Sequence, residues 1–308
     1  MKKIRKEFAL FLVLALALAM TACGGSSNTA STATAAPAAT AASDSTGAES
    51  AAPAAKNRLE QIKERGYIEV CTEPYWVPME FIDITKSGDD QYVGVDIELA
   101  KYIAERLGVE LRIIPLEFSA VLASITEGKY DLAISALAYS PSRAENMNMS
   151  VGYRFSGDEG STYGFLVREE DADKYSTAED FSDLVLVTQS GSVQESFVNA
   201  QIDVKNELKL VSAMPDGYMM VKEGKADACA CDVNNGQLFA DANGGLAIVP
   251  DFRFTVDEES IGTRVGIPLG EDELTDFVNE CIAELRAEGK IDAWYDEYVV
   301  YARDLGLN

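Results

Sequence analysis

The stretch DLAISALAYSPSR, Asp131–Arg143, is two things in succession. Its first half is an apolar run of the kind that forms a buried strand. Its second half is Ser-Pro-Ser-Arg. Pro141 stops a strand and suits the first position of a helix, with Ser140 as the cap. Arg143 then falls in the first turn, just past the carboxyl end of the strand. The start of a helix is an unfavourable place for a cation, so the position asks for a negative partner.

Outward from this stretch, helices and strands alternate from Arg58 on, and the fold class expected is α/β. YIEVCT (Tyr67–Thr72) reads as a first strand, VELRIIP as a second and DLAISAL as a third. Asp96 is expected to cap a helix whose Leu99, Ala100, Ile103, Ala104 and Leu107 share one apolar face, with Gly108 ending it. Ser119 is expected to open a short helix that Gly128 ends. EGKYDLA (Glu127–Ala133) is echoed by EGKADAC (Glu223–Cys229). Each is a helix end, a glycine turn, a lysine and an aspartate entering a strand, as two similar α/β lobes would produce. In the second run, DLVLVTQ is a strand, and Ser192 with Glu195 has capping-box spacing at the start of a helix. A long amphipathic helix from Asp272 to Ala287 and a last helix with Trp294, Tyr295 and Tyr298 are expected to return to the first lobe. The chain then crosses between lobes near 157–164 and near 259–262. The lobes are residues 57–157 with 262–308, and residues 158–261.

The amino end has another character. Lys2, Lys3, Arg5 and Lys6 precede an apolar segment, Phe8 to Ala19, which is too short for a comfortable membrane span. MTAC, ending at Cys23, resembles the lipobox of bacterial lipoproteins, so residues 1–22 are expected to be a leader and Cys23 a lipidation site. Gly24 to Ala55 holds 13 Ala and 11 Ser or Thr in 32 residues, and cannot bury enough surface to offset its ordering entropy. A tether over residues 23–56 is expected. The net charge is −25 and there is no histidine. Without residues 1–22, which carry four basic side chains and one acidic, it becomes −28. Such a chain is a poor partner for nucleic acid. The lack of histidine excludes serine–histidine and cysteine–histidine catalysis and histidine-built metal sites. Cys71, Cys229, Cys231 and Cys281 are expected as buried free thiols.

Four segments carry a further likeness: LEQIKERGYIEVCTEPYWVPMEFID, YVGVDIELAKYIAERLG, LASITEGKYDLAISALAYSPSRAENMNMS and VKEGKADACACD. Their order and spacing resemble the extracytoplasmic solute-binding proteins of family 3, the amino-acid receptors of ABC importers, from Leu59 to Tyr301. The resemblance implies a two-lobed periplasmic-binding-protein-like fold of type II with two hinge crossovers. It implies that Arg143 takes a ligand α-carboxylate, for which guanidinium offers a bidentate fork. The turn at Ala138 and the helix start at Gly191 and Ser192 would add N–H donors. Asp232, at the end of the strand DACACD, would accept the ammonium group together with Ser135, and also has N-cap position. Trp76, in an irregular stretch between two prolines, and Phe118 would flank the ligand side chain, whose far end Glu73 would read. Ala136, Ala138 and Val193 depart from the hydroxyl or glycine residues common in the family, which leaves backbone contacts there.

The function implied is a lipid-anchored receptor that closes on an L-amino acid, with a weak preference for polar or basic ones, and delivers it to a membrane permease. It would be a monomer without enzymatic activity, metal or other cofactor. Two alternatives remain: a dehydratase of prephenate- or arogenate-like acids with Glu73 as acid or base, and a ligand-sensing subunit of a signalling receptor.

Overall fold

The structure is a computed structural model that describes residues 56–155 and 162–307. The chain divides into Met1–Ala52 and Pro53–Asn308, and the described residues belong to the second unit. The expected leader, Cys23 and most of the tether lie outside the described residues, as does the middle of the first crossover.

The chain runs α1 (Arg58–Arg65), β1 (Tyr67–Thr72), the short strands β2 (Tyr75–Trp76), β3 (Glu80–Ile82) and β4 (Tyr92–Val93), then α2 (Val95–Leu107), β5 (Glu110–Pro115), α3 (Phe118–Thr126), β6 (Leu132–Ala138), α4 (Pro141–Ala144) and β7 (Met147–Met149). It continues through β8 (Tyr163–Arg168), β9 (Val185–Gln189), α5 (Val193–Gln201), β10 (Glu207–Val211), α6 (Met214–Lys222), β11 (Ala228–Asp232), α7 (Val233–Asn243) and β12 (Leu246–Ile248). Last come β13 (Thr263–Pro268), α8 (Asp272–Ala287) and α9 (Lys290–Asp304).

Two five-stranded sheets result, ordered β5-β1-β6-β13-β7 and β10-β9-β11-β8-β12. In each, three strands run parallel in βαβ units and β13 or β8 joins antiparallel. β6 is buried along most of its length because helices cover both faces of its sheet. One face carries Ile62, Leu99, Ile103, Val278 and Ile282 from α1, α2 and α8. The other carries Phe118, Val121 and Ile125 from α3. The second sheet is covered in the same way, by aromatic residues around Phe165 and Phe181 on one side and by Met214, Tyr218 and Cys231 on the other. The two connections between the sheets lie side by side where Arg154 bridges Thr263. α8 and α9 pack on α2, so the carboxyl end does return to the first sheet.

The internal echo is structural. Lys129 N–H bonds Ser124 O, and Asp131 N–H bonds Glu69 O. Lys225 N–H bonds Met220 O, and Asp227 N–H bonds Val185 O, in the same arrangement.

Three local expectations are corrected. α2 is capped by Gly94, not by Asp96. The Asp96 side chain turns inward to accept Ala136 N–H at 2.7 Å and Tyr153 O–H at 2.7 Å, a stronger use of a buried carboxylate than a solvated cap. α3 begins at Phe118 behind Glu117, not at Ser119, because the buried Phe118 ring fixes where the chain enters the helix. Trp76 is not in an irregular loop: Tyr75–Trp76 pairs antiparallel with Glu80–Phe81 in a three-stranded sheet with β4. Cys71, Cys229, Cys231 and Cys281 are free and buried, as expected.

Candidate functional site

A cleft lies between the carboxyl ends of β1 and β6 in the first sheet and of β9 and β11 in the second. Its lining includes Glu73, Trp76, Phe118, Ser135, Ala138, Arg143, Ser192 and Asp232. That is where open α/β sheets place their ligands, because strand ends and helix starts leave polar backbone unpaired there.

Arg143 rides on α4, where Ser140 accepts the Arg143 N–H at 3.3 Å, as the Ser-Pro spacing predicts. The residue is 7% exposed. Nη1 donates to Ala138 O at 2.7 Å and Nη2 to Gly191 O of the second sheet at 3.1 Å. The Phe118 ring lies 5.4 Å from it. No carboxylate among the described residues pairs with it, and burial lowers its pKa to about 10. It is still charged at neutral pH, so it is a buried cation facing the cleft without its own anion.

Asp232 ends β11 and is also the N-cap of α7: one oxygen accepts Asn234 N–H at 2.9 Å and Asn235 N–H at 3.1 Å. Withdrawal from water raises its carboxyl, and these N–H groups oppose the rise. Tyr163, the residue paired with Asp232 on β8, feels both charges: burial and Asp232 raise its phenol, and Arg143 lowers it.

Glu73, also in the lining, is 2% exposed. Ser135 Oγ accepts the Glu73 N–H at 2.9 Å and donates to Glu80 at 3.1 Å. Gln189 Nε2 reaches across from the second sheet to Glu73 at 3.3 Å. Burial pushes the Glu73 carboxyl up to about 8, against the pull of Gln189. Glu80, wholly enclosed, is pushed well above the usual range by burial and by the carboxyls of Asp96 and Glu73. Asp96 behind it is raised to about 6. Trp76 packs against the cores of both sheets.

Gly191 differs from its expected part. Its N–H donates to Glu195 at 2.7 Å, completing the cap of α5 in which Ser192 accepts Glu195 N–H at 3.1 Å. Its carbonyl, not its N–H, meets Arg143. Val193 and Ala136 line the cleft with Ser192.

Glu80, Gln189, Tyr163, Arg154, Asn235 and Tyr295 also line the cleft and were not among the expected residues. Gln189 had a signal, a polar residue closing an apolar strand just before a glycine turn. Tyr295 had none, because it arrives on α9 and is brought in under Arg154, whose guanidinium stacks 3.3 Å from its ring centre. Among the described residues no cluster of metal-ligating side chains occurs.

Residues 68–301 match the family described as bacterial extracellular solute-binding proteins, family 3. The chain is similar to the L-cystine-binding protein of Escherichia coli, with 25% identity over 80% of this chain and 87% of that one. It is also similar to the cyclohexadienyl dehydratase of Pseudomonas aeruginosa, with 25% identity over 62% of this chain and 68% of that one. Among solved structures, an amino acid ABC transporter substrate-binding protein from Streptococcus pneumoniae bound to L-arginine superposes with a TM-score of 0.71 at 28% identity, covering 80% of this chain and 98% of that one. An α/β body with two five-stranded sheets and a polar cleft at their strand ends, matched to that family over nearly all its described length, leaves one assignment: this chain belongs to the family 3 bacterial extracellular solute-binding proteins.

Proposed function

We propose that the protein is an extracytoplasmic receptor for an L-amino acid, captured between lobes formed by residues 57–157 with 262–308 and by residues 158–261, and handed to an ABC permease. The supporting observation is the pair of opposite charges lining one cleft: Arg143, buried without an anion, and Asp232, half-buried, with a carboxyl raised by desolvation. Arg143 takes the α-carboxylate and Asp232 the ammonium group. Each charge offsets the desolvation cost of the end of the zwitterion that it meets. Ser192 and Ala138 border the carboxylate, Ser135 the ammonium side, and Trp76 and Phe118 the side chain. Glu73 and the acceptor-rich wall around it favour a basic or polar side chain. No step in this reading needs a metal or cofactor. Residues 1–22 act as a leader, and Cys23 carries a lipid that holds the monomeric receptor at the membrane on its tether.

The test is a thermal-shift screen of the folded domain against the 20 amino acids. A true ligand at about 100 times its Kd stabilises by about 2.7 kcal/mol. The Arg143→Ala protein should lose that shift. An unchanged shift in the variant removes Arg143 from the site.

A second reading has one observation in its favour. Glu73 is protonated at neutral pH and lies in the cleft, as a general acid for a dehydratase would. Turnover of an arogenate-like acid, lost in Glu73→Gln, would establish it. A ligand that binds without being consumed excludes it.

A further inference from the structure

Glu73 is enclosed in the cleft that Asp232 also lines. Among the described residues, its one side-chain hydrogen bond comes from Gln189, whose amide nitrogen is also committed to Ser212 O at 2.9 Å. Among the described residues no lysine or arginine pairs with Glu73. Behind it, Glu80 and Asp96 form a second acidic layer, in which Glu80 Oε2 has no donor facing it. The titratable groups that share the cleft with Glu73 are Glu80, Arg143, Arg154, Tyr163, Asp232 and Tyr295, with Asp96 behind Glu80. Arg143 is occupied by the carboxylate end of the zwitterion and Arg154 stacks on the Tyr295 ring, so neither cation neutralises Glu73.

We propose that Glu73 selects ligands through its own protonation state: it meets a cationic side chain as a carboxylate and a neutral side chain of the same shape as a carboxylic acid, so pH sets which of the two the cleft prefers. This rests on the amino-acid reading above and deepens it. A buried carboxylate with two acidic neighbours is tolerated only when the ligand brings the missing positive charge. With a neutral ligand the group keeps its proton, and the O–H donates to a carbonyl oxygen of the ligand. The direction of the shift supports this, since burial keeps Glu73 protonated up to about 8 in the closed, ligand-free cleft.

The difference between the two complexes is one proton, whatever the state of the free protein. By linkage, the affinity ratio of the cationic to the neutral ligand rises with pH, by up to about tenfold per unit below the Glu73 titration. L-Arginine and L-citrulline are the probes, because they share a shape and differ in charge. Titration calorimetry at about pH 6.5, in buffers of different ionisation heat, should show about one more proton taken up with citrulline than with arginine. The arginine-to-citrulline ratio should fall about tenfold between about pH 7.5 and 6.5. Glu73→Gln should abolish the difference in proton count; if that variant does not fold, the wild-type comparison decides alone. Equal proton counts for two ligands that both bind overturn this proposal and leave the receptor reading intact. Failure of only one of the two to bind down to about pH 5.5 also overturns it. Absence of binding by any amino acid overturns both.

Discussion

Arg143 shows what one residue can carry. Two carbonyls and an aromatic face hold its guanidinium, and both are weak compensation for a charge withdrawn from water. The sequence makes this legible because Ser-Pro after an apolar run fixes both the strand end and the helix start. Ala136, two residues before the end of the same strand, was legible only as an unusual residue. Its φ of 46° puts a non-glycine side chain in the left-handed region, where Asp96 grips its N–H. The Ala136→Gly protein should therefore be unchanged or more stable by up to about 1 kcal/mol in urea melts, although glycine normally weakens a strand. A loss of about 1 kcal/mol or more would show that the backbone there carries no strain. Glu80 was not legible as a site residue, and Gln189 only as a polar residue closing an apolar strand. Their meaning depends on partners 55 and 116 residues away, Ser135 and Glu73.

At the scale of elements, the two lobes repeat one joint. Asp131 accepts Glu69 N–H at 2.7 Å, and Asp227 accepts Val185 N–H at 2.9 Å, each tying a helix end to a neighbouring parallel strand of its sheet, β1 or β9. Burial separates the two joints. The Asp131 side chain is fully enclosed and pairs with Arg58 and Arg65, while the Asp227 side chain is 36% exposed beside Arg168. Removing one partner of a buried ion pair strands the others. Asp131→Ala should cost about 3 kcal/mol and Asp227→Ala about 1 kcal/mol or less in denaturant unfolding. Equal costs would mean that burial does not set the strength of the joint. The short strands β2 to β4 escaped the sequence reading because two- and three-residue strands have no periodicity to detect.

At the scale of the molecule, the lobes touch directly through Arg143–Gly191, Gln189–Glu73 and Asn235–Val77, the last at 2.9 Å. This closed arrangement encloses Glu73, Glu80 and Asp96, all with carboxyls raised by burial. A raised carboxyl keeps its proton when folded at a pH where the unfolded chain has lost it. Its contribution is complete below the unfolded value, near 4.5 for Glu73, and is lost as pH rises through about 8. The ligand-free protein should therefore have its highest urea midpoint on the acid side of that window and fall toward pH 8. A cationic ligand should flatten the fall. A midpoint that rises across the window would contradict the burial of these carboxyls.

The sequence by itself determined the α/β class, the doubled lobe, the Ser140 and Ser192 caps, and two charges at strand ends. All of these follow from short-range pattern: apolar runs, glycine turns and capping spacings act within a few residues. Only the tertiary structure decided which side chains lie buried together. Asp96 leaves its helix cap, Gly191 presents its carbonyl, Tyr295 arrives from the last helix, and Glu73 loses water behind a residue of the other lobe. Desolvation depends on everything packed around a group, and packing joins residues far apart in the chain.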